Sequence, residues 1–371
     1  MNNVRYNPGL HRVALLTAAA TFPLIFMGGL VTSHGAGMSV PDWPNSYGYN
    51  MFTFPPSRWV GGIFYEHTHR LMGTVVGMLS ILLTAWAWKA EGRRWVRWLA
   101  TGVLGAVILQ GVLGGLRVVL VELDLAVVHA CFAQAFFCLA TLAAVVTSHW
   151  WTGGAEAGQV TASSHAFRSL ARLAAAAVLV VYLQLVVGAL MRHYGAGLAI
   201  HDLPLAFGRL LPPVSNEGLE AANSTRIWDA GLPRVTLAQV WLHFGHRVGA
   251  VAVTLVILAL VARALRRHRA VPGLVRPAVL VLALLLVQVT LGVLTVLWRK
   301  PADVASAHVA VGALVLVTCF VITVRAARMR WLSHRVRGFD VSQAAAAAQR
   351  SPGSNTRETN DIRAGAELAP A

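Results

Sequence analysis

The sequence has few charged residues and few cysteines, and both shortages restrict what the chain can be. Only 12% of its 371 residues are Asp, Glu, Lys or Arg, whereas soluble domains average about a quarter. The three cysteines, Cys131, Cys138 and Cys319, all lie in apolar stretches. A disulfide-stapled secreted domain is therefore excluded, and we expect the three thiols to pack as apolar side chains.

Long apolar runs take the place of the missing charge. Mean hydropathy is +0.61, and 56% of the residues are hydrophobic. Runs of about 20 apolar residues are long enough to cross a bilayer as helices. The sequence therefore predicts an all-α polytopic membrane protein. The eight transmembrane helices are expected near residues 11–32, 63–88, 98–119, 127–149, 173–192, 238–262, 278–297 and 306–325.

The basic residues are distributed unevenly around these spans. With the N-terminus inside, the inner segments carry the runs KAEGRRWVR, RALRRHRAVPGLVR and RAARMRWLSHRVR, while the outer loops carry far fewer basic residues. The positive-inside rule then places both termini in the cytoplasm. The net charge of +16 is thus a topology signal, and we expect no nucleic-acid partner. No cleavable leader is evident before the first span, which favours a prokaryotic plasma (inner) membrane.

A repeat relates the two halves of the chain. Chance similarity between apolar helices would give shared Leu and Val, but not polar residues matched in the same order. The matched segments are GGLVTSH (28–34) with GALMRHY (188–194), GAGMSVPDWP (35–44) with GAGLAIHDLP (195–204), and QGVLGGLRV (110–118) with QVTLGVLTV (288–296). Four spans therefore repeat once, which predicts two tandem, pseudo-symmetric four-helix bundles.

These bundles define the expected domains. We place the N-terminal four-helix bundle at 1–150, a cytoplasmic linker at 151–172 and the C-terminal four-helix bundle at 173–337. The remaining tail, 338–371, is rich in Ala, Ser, Asn and Thr with mixed charge. Such a segment cannot bury a core, so it is predicted to be a disordered cytoplasmic tail.

The repeat also pairs four intramembrane histidines. His69 corresponds to His246 and His129 to His308, and all four are expected near the outer ends of their spans. A lone intramembrane histidine is usually structural or part of a proton path, but four duplicated at one depth indicate paired ligands. Two imidazoles on facing helices suit the iron of a haem, whereas zinc would need four close ligands. The sequence thus predicts one bis-histidine haem site in each half.

The two predicted sites differ in their neighbours. Glu66 lies three residues before His69 and shares its helix face, whereas the aligned position in the second half is His243. A carboxylate in only one half suggests one reaction site and one cofactor site, with His243 as a polar neighbour of the cofactor. His67 points to another face and is interpreted as an interfacial residue.

An arginine directly follows the first histidine of each pair. Arg70 comes after His69, and Arg247 comes after His246. Two interpretations remain open for these side chains. Each guanidinium could pair with a haem propionate, or it could reach back to the water interface from the end of an apolar helix.

With these residues, the chain resembles the heme A synthase family over about residues 10–325. The resemblance rests on the E-x-x-H-R motif at 66–70, the outer-loop segment GMSVPDWP, the segment QGVLGGLRV and the three other paired histidines. It implies an eight-helix, two-bundle fold. It also implies an oxidoreductase that converts the ring methyl of haem o to a formyl group, through a hydroxymethyl intermediate, to give haem a for cytochrome oxidase.

The resemblance also implies roles for single residues. His246 and His308 would hold a permanent haem b, His69 and His129 would hold the haem o that is oxidised, and Glu66 would be the catalytic group. Many bacterial members carry a cysteine pair in the first outer loop, but this loop has none. The chain therefore resembles the cysteine-free branch of the family.

Two other function classes remain open from the residues alone. A di-haem b-type membrane protein that exchanges electrons with a quinone would explain four histidines, but not the single carboxylate. A haem transporter would need a path open to both faces, whereas the histidines are expected near the outer face. The resemblance implies as partners haem o and haem a, a haem o synthase, an electron-transfer partner and the lipid bilayer, and a homo-oligomer is left open.

Overall fold

The structure, a computed structural model, describes residues 6–153, 164–228 and 230–350, the side chains only as far as residue 334. Within these ranges it contains no β-strand, only isolated bridges at Ser46–Tyr49 and Ala206–Arg209. The α-helices are α1 (Pro8–Ser33), α2 (Gly61–Ala90), α3 (Arg94–Val119), α4 (Leu123–Thr147), α5 (His149–Thr152), α6 (Ser164–His193), α7 (Asn216–Trp228), α8 (Leu237–Arg267), α9 (Pro272–Leu297) and α10 (Ala302–Arg350).

Eight helices in the described part of the chain are long and apolar enough to cross a membrane, namely α1 to α4, α6 and α8 to α10. This confirms the predicted all-helical polytopic membrane protein. The helices extend beyond the predicted spans because hydropathy marks only the apolar stretch, whereas the helix continues into polar turns. Large apolar side chains on the outer surface, such as Met78, Ile81, Leu255 and Leu286, are more than half exposed and would face lipid.

The segment between the halves is more helical than predicted. α6 begins at Ser164, so residues 164–172 belong to a helix and not to the expected linker. The short helix α5 precedes it, with the Ser148 hydroxyl accepting a hydrogen bond from Trp151 N. The rest of the predicted linker, residues 154–163, lies outside the described residues.

The C-terminal helix also differs from its prediction. α10 continues to Arg350, so helix covers the beginning of the segment predicted to be disordered. The alanine run at 344–348 gives a physical reason, because alanine has the highest intrinsic helix propensity. The remainder of the predicted disordered tail, residues 351–371, lies outside the described residues.

Helix contacts divide the chain into two groups of four long helices. In the first group, α1 and α3 each contact α2 and α4, and in the second, α6 and α9 each contact α8 and α10. The groups meet where α10 contacts α1 and α4, and where α6 contacts α4. Ile25, Phe137, Ala313 and Val317 form an apolar cluster there. We call α1, α4, α6 and α10 the seam helices.

Several hydroxyl groups inside the spans are satisfied by their own helix. Thr17 donates to Val13 O, Thr21 donates to Thr17 O and Ser80 donates to Val76 O, each at 2.8 Å. This matters because a polar group in lipid has no water to bond. The four matched histidines and Glu66, which this does not explain, lie near the ends of the spans that the topology prediction places outside.

Candidate functional site

The four histidines that the repeat matches form two pairs, one within each helix group. The ring centroids of His69 on α2 and His129 on α4 are 6.4 Å apart, and those of His246 on α8 and His308 on α10 are also 6.4 Å apart. The ring planes cross at 77° in the first pair and 66° in the second. The structure therefore brings together the two histidines of each half, as the sequence predicts, and the separation is the same in both halves.

Each histidine ring lies against a glycine of a neighbouring helix. A Cβ built on any of these glycines would come within 2.9 to 3.1 Å of the histidine Cε1, which is tighter than ordinary van der Waals contact. The pairs are His69 with Gly28, His129 with Gly114, His246 with Gly188 and His308 with Gly292. Sequence reasoning missed these glycines, although all four lie in the repeated segments. The repeat aligns Gly28 with Gly188 and Gly114 with Gly292, and this alignment was the signal that could have identified them.

The second pair has side-chain hydrogen-bond partners that the first pair lacks. Gln184 Nε2 lies 3.0 Å from His246 Nδ1, and Gln288 Nε2 lies 3.4 Å from His308 Nε2. In the first pair both Nδ1 atoms are buried without a hydrogen bond of normal geometry. The repeat places Leu24 opposite Gln184, so the polar partner of the second site has an apolar counterpart in the first.

Glu66 is buried and fully engaged. Its Oε2 accepts a hydrogen bond from Val40 N at 2.9 Å, and its Oε1 accepts one from Arg70 Nη2 at 2.9 Å. His243 lies in the equivalent place, with its Nδ1 3.3 Å from Ile200 N. Both side chains therefore accept from equivalent main-chain amides, each in the outer loop of its own half, but only Glu66 is a carboxylate.

Arg70 and Arg247 hold the outer loops by their main-chain oxygens. The acceptors occupy equivalent positions of the repeat. Arg70 donates to Val40 O, Asp42 O and Asn45 O, and Arg247 donates to Ile200 O, Asp202 O and Leu205 O, all at 2.7 to 3.0 Å. Both Nη atoms of each guanidinium are thus engaged with loop carbonyls, and a contact with a haem propionate stays a prediction.

The same loops each close around an aspartate. Asp42 accepts from the main-chain N–H groups of Tyr47 and Gly48 at 2.7 and 2.8 Å, and Asp202 makes the two equivalent contacts at 2.9 Å. Partial burial opposes ionisation of Asp42, but these hydrogen bonds and the charge of Arg70 outweigh it, so the pKa of Asp42 lies below its ordinary value.

His67 is not an interfacial residue. Its side chain is fully buried beneath the first outer loop, with Nδ1 3.1 Å from Ser46 Oγ. The ring contacts Phe54 and Trp59 at centroid distances of 5.0 and 4.7 Å. The interpretation from the sequence was wrong because it placed the helix end in water, whereas the loop folds back over it.

The longer second outer loop contains α7 and packs onto its own helix group. Arg226 of α7 is buried, and its guanidinium donates to Leu198 O, Ala199 O and Pro233 O at 2.7 to 3.0 Å. Charge-assisted bonds to three carbonyls compensate the desolvation of a buried cation. Whether segment 193–237 covers the second site or meets a partner was left open by the sequence. The Arg226 bonds are internal to this segment, but Trp241 Nε1 of α8 donates to Pro213 O at 3.1 Å, so part of the segment packs on its own helix group.

Comparisons with known proteins agree with this arrangement. A family model described as "Cytochrome oxidase assembly protein" (COX15-CtaA) matches residues 59–320, which include both histidine pairs. A protein of Shouchella clausii named "Heme A synthase" is 27% identical over 292 residues, covering 78% of this chain and 87% of its own length. A protein with the same name from Symbiobacterium thermophilum is 30% identical, covering 62% of this chain and 74% of its own length. Another from Methylobacterium sp. (strain 4-46) is 29% identical, covering 83% of this chain and 89% of its own length. The chain therefore belongs to the COX15-CtaA family of cytochrome oxidase assembly proteins.

Proposed function

We propose that this protein is a heme A synthase, an oxidoreductase that converts the ring methyl of haem o to a formyl group through a hydroxymethyl intermediate. One observation carries the proposal. Two histidine pairs have the same spacing, but a carboxylate lies beside only one of them. Its relatives named "Heme A synthase" support the same assignment.

The donor set fits two haems. Two metal–imidazole bonds of about 2 Å, with about 1.2 Å from each nitrogen to its ring centre, give a centroid separation of about 6.4 Å. Both pairs have this separation. The glycine beside each ring removes a side chain where a flat macrocycle would need room. We assign haem o, the substrate, to His69 and His129, and haem b, the cofactor, to His246 and His308.

The second pair suits a permanent cofactor because it is the better supported one. A hydrogen bond at the ring nitrogen that does not bind the metal fixes the orientation of a ligating imidazole. Gln184 lies 3.0 Å from His246 Nδ1 and Gln288 O lies 3.1 Å from His308 Nδ1, whereas neither Nδ1 atom of the first pair has a hydrogen bond of normal geometry. The unpartnered first pair suits a group that must enter and leave. When bound, haem b supplies one-electron transfer between the substrate site and an outside partner.

Glu66 is the group that we assign to the chemistry. Oxidation of a ring methyl removes electrons and protons beside the macrocycle, and a carboxylate held in a low-dielectric site can stabilise positive charge or accept a proton. The bonds from Val40 N and Arg70 keep the carboxylate in place. His243 in the equivalent position cannot supply the negative charge, so the second site would bind without reacting.

The two helix groups are proposed to be a tandem, pseudo-symmetric duplication. The matched contacts of Arg70 with Arg247 and of Asp42 with Asp202 support this relation. With both termini in the cytoplasm, as the positive-inside rule favours, the haem sites lie near the outer face of a prokaryotic plasma membrane. The first outer loop contains no cysteine, which supports our assignment of the chain to the cysteine-free branch.

The test is to purify the protein, extract its porphyrins and identify them by mass spectrometry, and to measure haem a in cells whose own heme A synthase is deleted. The proposed function predicts one haem b per chain, together with haem o or its oxidised products, and restored haem a. Two equivalents of haem b and no haem a would instead identify a di-haem electron-transfer protein. Haem o bound without any oxidised product would favour a transporter.

A further inference from the structure

Three basic side chains come together at the outer ends of α3 and α6. Arg117 Nη2 donates to Gly37 O at 2.9 Å, and Arg192 Nη2 donates to Gly29 O and to Ser33 Oγ. In each guanidinium only Nη2 makes these bonds. Nε and Nη1 of both arginines have no hydrogen bond to the described residues. His193 follows Arg192, and we call Arg117, Arg192 and His193 the outer basic cluster.

The outer basic cluster has no ion-paired carboxylate. The ion pairs in the described part of the chain join Arg70 to Glu66, Arg93 to Glu91 and Arg234 to Glu220. Neither arginine of the cluster takes part. Glu66 interacts electrostatically with Arg117, but its two oxygens accept hydrogen bonds from Val40 N and Arg70. No carboxylate of the described residues therefore bonds directly to the cluster.

The cluster lies beside the first histidine pair. Arg117 interacts electrostatically with His69 and His129, and His193 interacts with His129 as well. Gly29, whose carbonyl accepts from Arg192, directly follows the glycine that packs against His69. Arg192 thus reaches across the seam from α6 to α1, and it also interacts electrostatically with His308 of the second pair, so of the two arginines Arg117 is the one that interacts with the first pair.

The position equivalent to the outer basic cluster at the second site has no comparable charge. The repeat places Thr295 opposite Arg117, Thr32 opposite Arg192 and Ser33 opposite His193. These neutral residues cannot attract an anion as the cluster does. Arg70, which the sequence offered as an anion partner, already uses both Nη atoms on loop carbonyls and on Glu66.

We propose that the outer basic cluster, with Arg117 as its principal member, binds the two propionate carboxylates of the tetrapyrrole substrate at the first site. This inference rests on the proposed function. Guanidinium N–H groups form strong charge-assisted bonds with carboxylates, and the free Nε and Nη1 groups supply the donors. The cluster would fix which edge of the macrocycle faces the membrane surface, and it would distinguish the substrate site from the cofactor site.

The test compares haem o with its dimethyl ester, in which the carboxylates are blocked. Both are titrated by absorbance into full-length protein that carries haem b. Wild-type protein should bind haem o about ten- to a hundred-fold more tightly than the ester, as expected for hydrogen bonds between charged groups. Arg117→Gln should remove most of this preference by weakening haem o alone, and Arg117→Lys should retain part of it.

The control is Arg299→Gln, the same change at an exposed arginine just beyond the end of α9 in the other half, which should leave both affinities unchanged. Haem b content reports whether each variant is folded. If wild-type protein binds acid and ester equally while still making haem a, the proposal is overturned and the proposed function stands. Equal weakening of both ligands in folded Arg117→Gln would overturn it too. Failure of wild-type protein to bind haem o or make haem a would overturn both.

Discussion

The two histidine sites share a skeleton and differ in what surrounds it. Ring separation, glycine partners and the arginine that holds the outer loop are the same in both halves. Around this skeleton the first site has Glu66 and Arg117, whereas the second has His243, Gln184 and uncharged Thr295. Under the proposed function, the repeated residues hold the iron, and the residues that the repeat does not preserve provide reactivity and substrate recognition.

Replacing the histidines should give the largest difference in effect between the two sites. His246→Ala or His308→Ala should abolish haem b binding, because a bis-histidine iron site loses half of its axial ligands. His69→Ala or His129→Ala should abolish conversion of haem o and leave haem b at one per chain. Pyridine haemochrome spectra and extracted porphyrin masses measure both. Full haem b content in the His246 and His308 variants would contradict the assignment of sites.

Glu66→Gln should have the next largest effect. Glutamine keeps the size and can still accept from Val40 N, but it removes the negative charge, so oxidation should slow by about 10²- to 10⁴-fold. Haem o or the hydroxymethyl product should accumulate while haem b is retained. Glu66→Asp should keep part of the activity because its reach is shorter. The ratio of the three extracted haems is the measurement, and wild-type haem a from the glutamine variant would remove Glu66 from the mechanism.

Alanine at the glycine partners should give a smaller, site-specific loss. Gly28→Ala should weaken the substrate site and Gly188→Ala the haem b site, because the new Cβ would press on the ring at 3.0 or 3.1 Å. Overpacking of this kind costs about 1–3 kcal/mol, which corresponds to about a 5- to 160-fold loss of haem affinity. Gly77→Ala is the matched control, because its Cβ would meet open space. Equal losses at both sites from either variant would show that the glycines act on the whole fold instead.

The smallest expected effect concerns the first outer loop and pH. The pKa of Asp42 is lowered in the folded protein, mainly because two main-chain hydrogen bonds and Arg70 outweigh the opposing effect of partial burial. Its contribution to loop stability is therefore present above the ordinary aspartate pKa of about 4 and is lost as pH falls through the folded value. The protection factors of Tyr47 N and Gly48 N, which correct for the slower intrinsic exchange of amides at lower pH, should fall on acidification. In Asp42→Asn the protection factors of these amides should no longer change through that titration. If the variant lost protection on acidification as the wild-type protein does, Asp42 would be excluded as the cause.

Much of this architecture was predictable because it depends on side-chain type. Apolar runs predicted the eight spans, and the repeat predicted that each half contains one pair of facing histidines. The arginine contacts were not predictable, because their acceptors are main-chain oxygens such as Val40 O and Ile200 O, which every residue possesses. The burial of His67 was missed for a related reason, since it depends on how a loop folds back. Arg192 was missed because its partners lie on a helix of the other half.

The way in which Arg70 and Arg247 hold the outer loops has a consequence for the conditions that the protein tolerates. These loops are closed by guanidinium–carbonyl and carboxylate–amide bonds, and all three thiols are free and lie within helices. Neither type of bond responds to thiol reductants or oxidants. The outer surface should therefore keep its shape in reducing and in oxidising media alike, so the protein can be prepared with dithiothreitol present.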